Sequence, residues 1–278
     1  MHRYPERPRA SNAPDGLFDR GHLWLFEAID GAPLRFQLTD TGAIRFGDAT
    51  TTFDPEAVPI PYRYAVQEIR GQIDRDALFE AVPALDAVTF FGVAPQRRSI
   101  PYEFDRIPGF FGSDIRVTDR GLLPPDITTK IYHELGLTTL EPIEKEVRAV
   151  DFDPDRHSVP PSTWYDGPAY GTIARNKTGE SAFIPADDAP VSEAEVAPDD
   201  ATATAEAFVS SIAVETRCER ATTDLNRAGT AVSVDSLFDR VIAAIGREYP
   251  AQFDDGAIDQ RAFSSALRSE IHRWHTSQ

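Results

Sequence analysis

Glu27-Ala28-Ile29-Asp30-Gly31 ends one apolar stretch and starts another, and the fold turns on how it is read. Around it, Leu23 to Asp48 has the pattern of strands: Leu34, Phe36 and Leu38 alternate with Arg35, Gln37 and Thr39, and Ala43 to Phe46 continues after Thr41-Gly42. The alternation predicts that Arg35 projects from the face opposite the core. Glu27 and Arg35 then flank a turn at Asp30-Gly31, a dipeptide whose plainest reading is a hairpin. Tyr62, Val66, Ile69 and Ile73 have helical spacing, and Val88 to Phe91 is a short apolar strand ending at Gly92. Pro124-Pro125-Asp126 starts a helix whose expected apolar face is Ile127, Ile131 and Leu135, with Gly136 as its stop. The whole is a mixed α+β pattern.

Further along, Asp187, Asp188, Glu193, Glu195 and Asp199 fall in a stretch with almost nothing to bury, which reads as a solvated linker or acidic loop. Beyond it the spacing is helical: Phe208 with Ile212, then Leu237, Val241 and Ile245, then Phe263, Leu267, Ile271 and Trp274. Ser233 or Asp235 is placed to cap the middle helix and Asp259 the last. The expected division is a first domain over 1–185, an acidic linker over 186–203 and a small all-helical domain over 204–278.

The composition sets outer limits. With 278 residues, 41% hydrophobic and 26% charged, the chain fits one or two folded domains and is not disordered throughout. No run approaches the roughly 18 apolar residues of a membrane span, and the N-terminus lacks a secretory apolar stretch, so a cytoplasmic protein without membrane partners is expected. Cys218 is the only cysteine, which excludes an internal disulfide and a thiolate metal cage. The formal charge is −17, and lysine occurs only at Lys130, Lys145 and Lys177, so nearly every basic residue is arginine. A lysine-poor, carboxylate-rich chain points to a cytoplasm at molar salt, where the Debye length is about 3 Å and global repulsion from a polyanion is screened. Local arginine clusters then say more about partners than net charge does.

An ordered set of segments follows the first motif: Phe46-Gly47-Asp48, Phe91-Gly92-Val93, Gly109-Phe110-Phe111-Gly112-Ser113-Asp114, and Tyr170-Gly171-Thr172-Ile173-Ala174-Arg175-Asn176-Lys177. In spacing and order the chain resembles the ATP-dependent RNA ligase family of covalent nucleotidyltransferases over roughly residues 23–184. The resemblance implies an ATP-grasp-like nucleotidyltransferase domain with antiparallel sheets, a helical C-terminal domain as in some of these ligases, and ATP with Mg2+ as cofactors. It marks Glu27, Asp30, Gly31, Arg35, Phe110, Arg175 and Lys177 as nucleotide-binding candidates. The family's Lys-x-Asp-Gly motif carries the lysine that attacks the α-phosphate of ATP, and here Ala28 stands at that position and Pro33 at that of a following asparagine. Val93 replaces the glutamate of Phe-Gly-Glu, Tyr170 replaces the glutamate ahead of Gly171, and Phe183 falls where a further lysine is expected.

A covalent route needs a nucleophile, and a methyl group is none. Losing charged groups around a triphosphate also removes electrostatic stabilisation, of which one donor is worth about 2.7–4 kcal/mol in other enzymes. The resemblance therefore implies a family member with no intact catalytic residue that binds RNA ends or a nucleotide, or regulates an active ligase paralogue. Sealing of pre-adenylated RNA and a purely structural role with a plugged pocket are the alternatives. For binding, the expectation is a basic cluster of Arg35, Arg175 and Lys177 on one wall of a cleft, with Phe110 or Phe111 stacking on a base at about 1–3 kcal/mol. His2, Arg3, Arg7 and Arg9 add a local positive N-terminus. Asp151-Phe152-Asp153-Pro154-Asp155 opens like a calcium loop, but Arg156 and Ser162 occupy its glycine and glutamate positions, so a polar loop is the better reading. No metal site is expected.

Overall fold

At Ile29-Asp30 the chain leaves one sheet for another. The computed structural model describes residues 1–81, 85–187, 204–254 and 257–278. Strand β1 (His22–Ala28) belongs to a four-stranded sheet and β2 (Gly31–Leu38) to a five-stranded one, so Asp30-Gly31 is a crossover between sheets and not a hairpin turn. The remaining strands are β3 (Ile44–Gly47), β4 (Val88–Pro95), β5 (Phe111–Val117), β6 (Gly121–Leu122), β7 (Pro142–Arg148), β8 (Gly171–Asn176) and β9 (Ser181–Pro185). The smaller sheet has the order β7-β1-β8-β9, the larger β3-β2-β4-β5-β6, and every pairing is antiparallel.

The inner strands β1, β2, β4 and β8 are buried on both faces, which changes what alternation means. On β1, Leu23 and Leu25 join Ala149, Ala174 and Ala182, while Trp24, Phe26 and Ala28 join Ile100, Tyr102, Phe111 and Ile173. Such a strand is apolar on both faces and reads as a continuous run. On β2 the expected core residues Leu34, Phe36 and Leu38 are buried, and Phe36 stacks on Phe90 at 4.8 Å. Arg35 and Gln37 are buried as well, so Arg35 does not project into solvent. Its face is covered by backbone: Arg35 donates to the carbonyls of Asp48 (2.7 Å) and His2 (2.5 Å).

Two further expectations change. Strand β4 continues through Gly92, where an added Cβ would lie 2.3 Å from the Phe110 ring; only glycine admits that contact. Three helices complete this region: α1 (Arg63–Gln72), α2 (Arg75–Ala81) and α3 (Pro125–Glu134). The face that α3 buries is Thr128 and Tyr132, with Leu135 just beyond, whereas Ile127 is exposed. Tyr132 is the better inward residue because its hydroxyl donates to the carbonyls of Phe91 (2.8 Å) and Asp114 (3.1 Å) while its ring packs over Gly112. Gly136, at φ +74°, supplies the left-handed conformation that ends the helix.

The chain forms two compact units. One holds Met1–Val58 and the chain from Ala65 through β9; the other holds Pro59–Tyr64 and the C-terminal helices α4 (Ala205–Ser211), α5 (Val214–Arg227), α6 (Val234–Glu248) and α7 (Gln260–Thr276). Residues 59–64 therefore leave the 1–185 span: Ile60 is buried in the helical core, and its carbonyl lies 2.4 Å from where a Cβ on Gly246 would be. The helical periodicity translates directly into packing, with Phe208, Ile212, Leu237, Val241, Ile245, Phe263, Leu267 and Ile271 all buried. Ser233 and Ser236 cap α6 reciprocally, and Asp259 accepts from two amides at the start of α7. Of the acidic stretch 186–203, residues 188–203 lie outside the described residues. Among the described residues no helix is long and apolar enough to cross a membrane.

Candidate functional site

The crossover places Ile29, Gly31 and Pro33 on one wall of a cleft of about 290 Å3, with Val93 of β4, Ser113 of β5, Leu140 and Ile173 of β8 on the others. Gly31 is required there because an added Cβ would meet the Ala94 carbonyl at 2.3 Å. Tyr4, Pro5 and Arg7 of the N-terminal segment complete the lining.

Two carboxylates brace the crossover. Glu27 accepts from the Ser162 hydroxyl (2.6 Å) and the Thr163 amide (3.0 Å). Asp30 accepts from the amides of Ser99 (2.5 Å) and Ile100 (2.9 Å), and its own amide donates to the Tyr102 hydroxyl (2.8 Å). Burial pushes the Asp30 carboxyl above the ordinary carboxylate range, and the amide hydrogen bonds only partly oppose it. Burial likewise pushes the Tyr102 phenol well up, so it stays neutral. Both carboxylates act as acceptors that hold loops, and neither lines the cleft.

A third carboxylate, Asp114 on β5, sits between two guanidiniums. Its Oδ1 meets Arg175 at 2.9 Å and its Oδ2 meets Arg7 at 2.9 Å, with the Ser113 hydroxyl at 2.8 Å. Burial works against ionisation here too, but Arg175, Arg7 and Ser113 outweigh it and hold the carboxyl below its ordinary range. Arg175 also donates to the carbonyls of Ser113 (2.8 Å) and Leu123 (2.6 Å), so it joins β8 to β5 from the interior.

The basic cluster expected from the sequence is not assembled. Arg35 is buried against the backbone, Arg175 is buried on Asp114, and Lys177 is exposed in the turn after β8, where it pairs with Glu146 at 2.7 Å. Phe110 and Phe111 are each 1% exposed, and Phe110 packs edge-on to Phe36, so both are core rather than base-stacking surfaces. For Arg35, Phe111 and Arg175 the cause is shared, because strands covered on both sides turn alternating positions inward. Of the seven candidates only Gly31 lines the cleft at the crossover.

Ala28, at the position that the resemblance gives to the nucleophile, is 4% exposed in an apolar cluster and pairs across the sheet with Gly171. Tyr170 and Phe183 stack on each other at 5.3 Å and pack against the same cluster. All three lysines are exposed and engaged elsewhere: Lys130 with Glu134, Lys145 over the Trp24 ring, and Lys177 with Glu146.

Beyond the positive charge legible in their sequence, the N-terminal residues form an arm across the cleft. The His2 amide donates to Thr89, the Tyr4 amide to the Ala49 carbonyl, and the Phe183 amide to the Pro8 carbonyl. Tyr4 meets the Phe91 ring edge-on at 5.6 Å. The signal that was available is Tyr4-Pro5 and Arg7-Pro8, prolines that favour an extended chain. Magnesium triphosphate does not fit this lining: it contains no carboxylate, and its one cation, Arg7, is committed to Asp114. Among the described residues no group of His, Cys, Asp and Glu is arranged to hold a metal.

No protein-family model and no curated protein sequence matches the chain. Solved structures do. A Naegleria gruberi RNA ligase variant with ATP and manganese superposes with a TM-score of 0.53 at 12% identity, covering 68% of this chain and 57% of that one. A second variant with ATP and manganese gives 0.52 at 13%, and the same ligase with pyrophosphate gives 0.51 at 13%, each covering 68% of this chain and 56% of that one. The chain has the RNA-ligase nucleotidyltransferase fold. It is matched over little more than half the length of these ligases. In this chain that fold surrounds a cleft lined mostly by apolar residues.

Proposed function

We propose that this protein is a non-catalytic relative of the ATP-dependent RNA ligases, a binding or regulatory module for RNA ends or for an active ligase. The observation that carries the reading is the absence of any amine at the cleft: Ala28 occupies the nucleophile position in an apolar cluster, and all three lysines are exposed and paired elsewhere. Val93 in the lining and the Tyr170–Phe183 stack support it, because they put apolar surface where the family places charge. AMP transfer through an enzyme-bound adenylate then has no route in this chain.

Incubation with radiolabelled ATP and magnesium at high salt is expected to leave the protein unlabelled, and pre-adenylated RNA with an acceptor strand is expected to stay unjoined. A covalent AMP adduct or a joined product overturns the reading. A second reading, a cleft closed for structural reasons, is favoured by the N-terminal arm that Tyr4 and Arg7 hold across it. Calorimetry with short 5′-phosphorylated RNA separates the two: heat with the full chain supports the binding module, and heat only after Tyr4→Ala supports the closed cleft.

A further inference from the structure

At the β3 edge of the five-stranded sheet, the β2–β3 turn borders a groove of about 580 Å3 that shares no lining residue with the crossover cleft. Its walls include Thr39, Asp40 and Thr41 of the turn, Arg45 of β3, Arg70 of α1 and Arg75 of α2. The strand pattern explains Arg45: Ile44 and Phe46 are buried, and the residue between them stands outward. Arg70 falls in the last turn of α1, and its guanidinium lies over the Phe46 ring at 5.3 Å. Arg75, at the start of α2, reaches the Gly42 carbonyl at 3.5 Å, the outer limit of a hydrogen bond. All three arginines are exposed.

Among the described residues none of these guanidiniums is paired with a carboxylate, although the chain has 45 Asp and Glu against 28 Lys and Arg. Exposed arginines such as Arg106, Arg148 and Arg273 do find one. Others are unpaired too, but these three line one groove, with Asp40 as the one carboxylate in its described lining. An aromatic ring stands next to them. Phe79, one helical turn after Arg75, is 43% exposed and is the one aromatic among the large exposed apolar side chains described. Its ring comes within 3.5 Å of where a Cβ on Gly42 would lie. An inorganic anion is small for a groove of this size, and an acidic peptide engages the cations but offers no flat face to the ring. A run of phosphates with bases between them uses both, since guanidiniums take phosphate oxygens and the ring takes the face of a base. We propose that this groove binds a single strand of nucleic acid along its backbone, with Arg45, Arg70 and Arg75 on phosphates and Phe79 stacked on a base. It needs no strand end and no part of the crossover cleft, so it stands apart from the functional reading above.

The probe is a short circular oligouridylate with fluorescein on an internal base, which has phosphates and bases but no ends. Its anisotropy is followed across about 0.15–0.6 M salt, where the Debye length is under about 10 Å and the other carboxylates of the chain are screened. The full chain is expected to bind, with log affinity falling linearly in log salt at a slope that loses about 0.7 for each of Arg45→Gln, Arg70→Gln and Arg75→Gln. Phe79→Ala is expected to weaken binding by about 5- to 150-fold at unchanged slope, and Lys130→Ala to change neither quantity. No binding of the circle overturns the proposal, even where a linear 5′-phosphorylated RNA binds, because that result belongs to end recognition alone. Slopes unmoved by the arginine substitutions, an unchanged affinity in Phe79→Ala, or displacement of the circle by polyglutamate at equal charge overturn it as well. Circular dichroism checks that the variants fold. Should one not, the unaltered chain is cross-linked to a 4-thiouridine circle: adducts are expected within residues 39–45 or 70–79, and adducts confined elsewhere refute the site.

Discussion

Asp114 and Asp30 are both buried carboxylates in the same unit, at 2% and 3% exposure, yet they ionise in opposite directions. Asp114 is met by two cations and sits below the ordinary carboxylate range; Asp30 is met by neutral amides and sits above it. Burial penalises both, so the partner alone decides the sign. The difference matters for function because neither side chain is free to serve a ligand: one is neutralised from within, and the other is spent on holding the loop at Ser99 and Ile100.

The sharpest way to break the comparison is Asp114→Ala. It leaves two guanidiniums facing each other without their carboxylate, and removing one partner of a buried pair costs about 3–5 kcal/mol. Denaturant unfolding is expected to show a loss of that size, and a loss below 1 kcal/mol means that the arginines find other partners. Glu27→Gln comes next, since the amide nitrogen of glutamine presents a donor where Ser162 and Thr163 already donate. A mismatch of this kind costs about 1–3 kcal/mol, read from the same unfolding curves.

The pH dependence sharpens the contrast. Asp114 has a lowered folded-state value, so its contribution is complete above the ordinary carboxylate range and is lost as pH falls through the folded value. Asp30 has a raised value, so its folded form favours the proton and its contribution falls as pH rises through that value. Asp30→Asn removes the second effect while leaving an oxygen for Ser99 and Ile100. The variant is expected to be as stable as the parent or more so at pH 7, by about 1 kcal/mol, and to lose that margin as pH falls toward 4. A margin that grows on acidification contradicts the assignment. The smallest effect belongs to the exposed pair of Lys177 with Glu146: Lys177→Ala is expected to leave the melting temperature unchanged within measurement error.

The two units also differ in how far their sequence could be read. In the helical unit a solvated face and a buried face alternate at helical spacing, so Leu237, Val241, Ile245, Phe263, Leu267 and Ile271 are identifiable as core from spacing alone; Asp259 is identifiable as a cap, and of Ser233 and Asp235 the structure uses Ser233. In the two-sheet unit the strands were legible but their faces were not. Arg35, Phe110 and Arg175 have side chains suited to nucleotides, and the fold turns each of them inward. Ile127 fails in the opposite sense, an apolar residue left exposed because Tyr132 fills the groove and satisfies two carbonyls.

By itself the sequence determined that residue 28 is an alanine, that the chain has three lysines, and that its segments resemble nucleotidyltransferase motifs in their order. These are matters of covalent composition, which folding cannot alter. Only the tertiary structure decided that Asp30-Gly31 crosses between sheets, that the would-be binding arginines are spent on Asp48, His2 and Asp114, and that residues 2–9 lie across the cleft. Those outcomes depend on contacts between segments from 13 to 107 residues apart, and a guanidinium takes its role from whichever carboxylate or carbonyl the fold brings to it.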